Sequence, residues 1–82
     1  MSFEIHFKPK ALKDLDALPQ RDAQRIIAKI ESLNTGLKGD VKRLTDFTPE
    51  YRLRVGNYRI LFEIEAEKLI VYRVLHRKDA YR

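Results

Sequence analysis

The sequence has no cysteine in 82 residues, and only two histidines, three glycines and three prolines. Without cysteine there is neither a disulfide framework nor a thiolate metal site, which fits a reducing cytoplasm. Two histidines could complete a zinc site only by recruiting carboxylates, and no suitable spacing is present. The glycines are isolated, so there is no glycine-rich phosphate loop, and no Ser-His-Asp arrangement can be argued. No stretch approaches the ~18 consecutive apolar residues of a membrane span, and residues 1–7 alternate instead of forming the apolar run of a signal peptide. The expectation is a soluble, cytoplasmic protein with one domain over residues 1–82, small for a single core. It has no membrane partner and needs no cofactor or metal.

Charge is what the sequence does have. Seventeen Lys and Arg face twelve Asp and Glu, a net charge of +5. The first 37 residues carry six basic against five acidic side chains, and the remainder carry eleven against seven. The surplus therefore lies in the C-terminal half, where it would steer a negatively charged partner.

Periodicity supplies the elements. Phe3, Ile5 and Phe7 alternate with Glu4 and His6, a first strand over residues 2–7 in which His6 reads as an edge residue, not a ligand. Pro9 suits the first turn of a helix, and Ala11, Leu12, Leu15 and Leu18 recur at helical spacing over residues 10–18. Pro19 breaks that helix. A second begins at residues 20–22, with Ala23, Ile26, Ile27, Ile30 and Leu33 on one stripe and Arg21, Arg25, Lys29 and Glu31 facing water. Residues 41–44 are too short to assign, and a polar loop follows. Three strands complete the chain, at 51–55, 58–65 and 68–76, the last rich in β-formers. The predicted fold is α+β, a small antiparallel sheet of about four strands that includes the N-terminal strand, with the αα-hairpin packed on one face. Tyr51, Leu53, Val55, Ile60, Phe62 and Ile64 form its core face, while Leu61, Ile70 and Tyr72 fall on the other.

Within that sheet, Gly56-Asn57 between two alternating segments predicts a hairpin with a tight primed turn. Its register sets Val55 opposite Tyr58 and Arg54 opposite Arg59. Like charges directly opposite each other are destabilising, so Arg52, Arg54 and Arg59 on one uncovered face need a reason. One reading is a solvated surface with Glu63 and Glu65 as counter-ions. The other is an anion site, since guanidinium forks match phosphate geometry and stay charged. The segment His76-Arg77-Lys78-Asp79-Ala80-Tyr81 also has two readings. It is a frayed polar terminus, or a cluster of imidazole, cations and phenol suited to proton transfer beside the arginine hairpin. Arg73, His76 and Lys78 join Arg52 as candidate substrate-binding residues.

The order strand, two helices and three-stranded meander, with Gly56-Asn57-Tyr58-Arg59 and His76-Arg77 followed by Tyr81, resembles the RelE/ParE superfamily of toxin–antitoxin toxins. The similarity covers nearly the whole chain, and Phe7–Leu15 and Val41–Leu44 fit as well. It implies the toxin of a type II system. RelE-like members are ribosome-dependent mRNA endonucleases that inhibit translation. Their chemistry is metal-free: a 2′-hydroxyl attacks the adjacent phosphate, leaving a 2′,3′-cyclic phosphate and a free 5′-hydroxyl. ParE-like members inhibit DNA gyrase instead, and a non-toxic binding protein is a third reading.

Arg59, Arg77 and Tyr81 fall at arginine and tyrosine positions of RelE, which favours the RNase branch. The resemblance implies that Arg59 and Arg77 hold the scissile phosphate and that Arg52 and Arg54 position the RNA backbone, with Arg54 also counted as catalytic. Arg52 and Arg54 stand where RelE has lysines. Arginine stays protonated, so the general base would be Tyr81 or His76. The implied partners are an acidic, partly disordered antitoxin, mRNA on the ribosome, and operator DNA only through the antitoxin complex.

Overall fold

A computed structural model describes residues 3–33, 41–44 and 49–78. Strand β1 (Glu4–Phe7) leads into helix α1 (Pro9–Asp16), then helix α2 (Gln20–Ser32). Pro9 sits in the first turn of α1, where a missing N–H costs nothing. Pro19 caps α2 in an extended conformation, which separates the two helices. Four strands follow: β2 (Val41–Arg43), β3 (Tyr51–Val55), β4 (Tyr58–Glu65) and β5 (Lys68–His76).

The sheet has five strands in the order β1-β5-β4-β3-β2, one more than predicted, and it is mixed, not antiparallel. β1 runs parallel to β5, with Ile5 beside Leu69 and Phe7 beside Val71. The helices after β1 supply the long connection that parallel pairing requires. The extra strand is the short segment left unassigned: Val41, Lys42 and Arg43 pair with Leu53, Arg52 and Tyr51. Three residues are too few to show a period, and only the partner strand makes them β.

Leu53, Val55, Ile60, Phe62, Leu69, Val71 and Val74 close the core against Ala11 and Leu15 of α1 and Ile26, Ile30 and Leu33 at α2. Tyr51 and Ile64 pack on this cluster, so the predicted core face is the observed one. Tyr51 also stacks on Phe62, ring centroids 5.4 Å apart. Leu12, placed in the apolar stripe of α1 by its spacing, is instead 51% exposed.

One irregularity changes where side chains point. On β5 the core-facing residues are Leu69, Val71 and then Val74, a skip in the alternation. The register passes from Phe62–Val71 to Leu61–Arg73, leaving Tyr72 as the extra residue of a β-bulge. β1 pairs no further than Val71, and α1 then covers the open edge of β5. Asp14 Oδ2 accepts the Val74 N–H at 2.9 Å and Arg73 Nε–H at 2.8 Å, and its Oδ1 accepts Arg73 Nη2–H at 3.1 Å.

The two hairpin turns solve the same problem differently. Gly56 takes φ +58°, and Ala66, at the equivalent place between β4 and β5, takes φ +54°. A Cβ in this left-handed region is strained. Ala66→Gly is therefore expected to stabilise the fold by about 0.5–1 kcal/mol, the relieved strain exceeding the added freedom of the unfolded chain. Urea unfolding checks this, and an unchanged or lower midpoint would refute it.

Candidate functional site

The arginine hairpin forms as its sequence pattern dictates. Arg54 lies directly opposite Arg59, and Arg52 opposite Leu61, all on the face away from the helices. Leu61 is 4% exposed yet stands outside the main core cluster, an apolar floor between the flanking cations. Among the described residues Arg59 is held by backbone, with no ion pair to a carboxylate: its Nη1 donates to Tyr58 O at 3.2 Å and Gly56 O at 3.4 Å. Neutral carbonyls orient the guanidinium and leave its full charge for an anion.

Three further contacts fasten the turn. The Arg77 N–H donates to Asn57 O at 2.7 Å, tying the residue after β5 to the hairpin tip. From the other side, the Arg25 guanidinium of α2 packs on Gly56, so that a Cβ there would collide with it. Glycine is thus favoured at position 56 by its left-handed conformation, and any side chain there would also displace the Arg25 guanidinium. The Tyr58 hydroxyl donates to Asp22 Oδ2 at 2.8 Å. That hydrogen bond, with desolvation and the Asp22 charge behind it, raises the phenol above its usual range, against the opposing pull of Arg25. Tyr58 therefore stays protonated near neutral pH and serves as a donor, not a base.

The remaining predicted site residues disperse. His76 is in register with Tyr58 and shares its helix-facing side; the rings meet edge to face at 5.8 Å. Its Nδ1 accepts the Lys78 N–H at 3.3 Å. Arg59 lies beside Leu75 on the opposite face, so His76 and Arg59 do not converge. Arg73 turns its fork onto Asp14, a bond that also holds its pKa above the usual range. Lys78 is exposed just beyond β5. Glu63, expected as a counter-ion, accepts the Glu50 N–H at 2.8 Å. Tyr81 lies outside the described residues. Sequence reasoning missed Asp22 and Arg25 as supports of the turn, and no short-range pattern links α2 to a hairpin some thirty residues later.

A family model described as the ParE toxin of the type II toxin–antitoxin system parDE matches residues 5–81. The chain belongs to this family. Within the wider RelE/ParE superfamily it is 40% identical to toxin RelE3 of Methanocaldococcus jannaschii, over 95% of this chain and 94% of that one. Among solved structures, a chain of the RelB–RelE antitoxin–toxin complex from Methanococcus jannaschii superposes with a TM-score of 0.77 at 38% identity, covering 93% and 94% of the two chains. A chain of the archaeal RelE–RelB complex from Pyrococcus horikoshii shares the fold, with a TM-score of 0.79 at 22% identity over 98% and 100%. The chain is thus a RelE/ParE-type toxin of a type II toxin–antitoxin system. Among the described residues of this toxin, no helix is long and apolar enough to cross a membrane.

Proposed function

We propose that this toxin is a ribosome-dependent mRNA endonuclease that acts in the cytoplasm and halts translation. The observation that carries the reading is the Arg54–Arg59 pair, two cations set opposite each other on the sheet face away from the helices. A fold tolerates such repulsion where an anion relieves it. In this reading Arg59 and Arg77 hold the non-bridging oxygens of the scissile phosphate and stabilise charge that gathers there. The 2′-oxygen bonds to phosphorus as its proton leaves to the phenolate of Tyr81. The bond from phosphorus to the 5′-oxygen breaks, that oxygen takes up a proton from water with Arg54 beside it to offset its charge, and a 2′,3′-cyclic phosphate remains. Arg52 and Lys78 hold the flanking backbone, while His76 and Arg73 act from behind, through Tyr58 and Asp14.

An acidic antitoxin of the RelB kind is the partner that the +5 charge and the toxin–antitoxin complexes among the relatives support, and operator DNA would be reached only through that complex. Expression in a bacterial host tests the activity. The wild type is expected to arrest growth and to leave mRNA fragments with cyclic phosphate ends, while Arg59→Ala, Arg77→Ala and Tyr81→Phe relieve the arrest. Cleavage by all three variants at the wild-type level would show the site to be misplaced. Inhibition of purified gyrase with mRNA intact would assign the ParE-like activity instead, and harmless overexpression would leave a binding protein.

A further inference from the structure

Helix α2 presents a second basic surface that the proposed cleavage site does not use. Arg21, Arg25 and Lys29 are all exposed and recur every four residues, so they line one side of the helix with successive cations about 6 Å apart along its axis. No acid interrupts the stripe: Ala28 and Ser32 complete it, and Gln24 borders it. Asp22, on the other border, spends its carboxylate on the Tyr58 hydroxyl. Among the described residues, no ion pair joins any of the three cations to a carboxylate. The opposite side of α2 buries Ile26 and Ile30, so packing fixes which way the stripe faces.

The stripe is physically continuous with the arginine hairpin. Arg25, its middle member, rests its guanidinium on Gly56, while Arg59 reaches the carbonyl of the same glycine. One turn of chain thus separates a cation on the helix side from a cation on the sheet face away from the helices. We propose that Arg21, Arg25 and Lys29 form a track for the sugar-phosphate backbone of RNA, entered at the Gly56-Asn57 turn and running along α2 away from the scissile step. This rests on the RNA-cleaving reading above. Regularly spaced, acid-free cations contiguous with a phosphate site suit a repeating anion, and contacts of this kind carry affinity without base specificity.

Binding of 2′-O-methyl RNA, which lacks the attacking hydroxyl, tests the track as a function of salt. Two probes are needed, a strand long enough to extend well past the hairpin and a short one spanning only the scissile step. For the long strand, Arg21→Gln/Lys29→Gln is expected to flatten the slope of log affinity against log salt by about 1.4, and adding Arg25→Gln to bring the loss to about 2, since each phosphate contact to a single strand contributes about 0.7. The short probe should bind these variants as it binds the wild type. The double variant leaves Arg25 on the turn, so a disturbed hairpin cannot account for its loss. An unchanged slope for the long strand, with the wild type binding RNA, would overturn the track while leaving the cleavage site standing. Loss of poly-L-glutamate binding with RNA binding intact would assign the stripe to an acidic protein and overturn it as well. A wild type that binds neither free strand would overturn the track, while the cleavage reading stands or falls by the expression test above.

Discussion

Arg59→Ala is expected to slow mRNA cleavage about 10²–10³-fold, the usual cost of removing one preorganised group that stabilises transition-state charge. The same substitution should leave the fold as stable as before, or more stable by about 0.2–1 kcal/mol. Among the described residues Arg59 has only long bonds to two carbonyls to lose, and its removal ends the repulsion with Arg54 directly opposite. Activity and stability therefore move in opposite directions, as they do where a fold carries strain for function. Arg59→Lys should recover only part of the rate, because an ammonium cannot grip two phosphate oxygens as a fork does. Single-turnover cleavage on programmed ribosomes and urea unfolding of the same preparations provide the two measurements. Full activity in Arg59→Ala, or a loss of activity that only mirrors a loss of stability, would refute the assignment.

Asp14→Ala is expected to destabilise the protein by about 2–3 kcal/mol. Its carboxylate satisfies the Val74 N–H and both contacting nitrogens of Arg73, so its loss strands a backbone donor and a half-buried charge at once. The figure lies below that for a fully buried pair because the Arg73 side chain is 37% exposed and solvent compensates part of the loss. A chain of this size has about 4–12 kcal/mol to lose, so the midpoint of urea unfolding should fall clearly. Asp14→Asn keeps an acceptor for Val74 and should fall between the two. A shift under about 0.5 kcal/mol for Asp14→Ala would show that the edge of β5 does not depend on this residue.

These two residues differ in how visible they are in the sequence. Arg59 could be found because its neighbourhood is local: alternation on both strands and a glycine at the turn fix which residue faces which, and the observed register is the predicted one. Both helices and the apolar face of the sheet were legible for the same reason, periodicity over a sufficient length. Asp14 could not be found. Its partners lie some sixty residues away, and nothing near Asp14 in the chain names them. The bulge at Tyr72 sets Arg73 beside Leu61, and its fork is taken by Asp14. β2 was illegible because three residues show no period, and the parallel course of β1 because nothing within Glu4–Phe7 names its neighbour. His76 was misjudged more subtly. It follows the hairpin in space, but its register with Tyr58 sends the ring to the helix side.

The pairing of β1 with β5 also sets a schedule. β1 is made early and its neighbour in the sheet only after almost all the intervening chain, so this contact closes late and such topologies fold slowly. The arginine hairpin, a local contact, can zip early. The turn is not tied down until Arg77 has been added and its N–H reaches Asn57. The basic end of the toxin therefore takes its final shape only once β5 is in place.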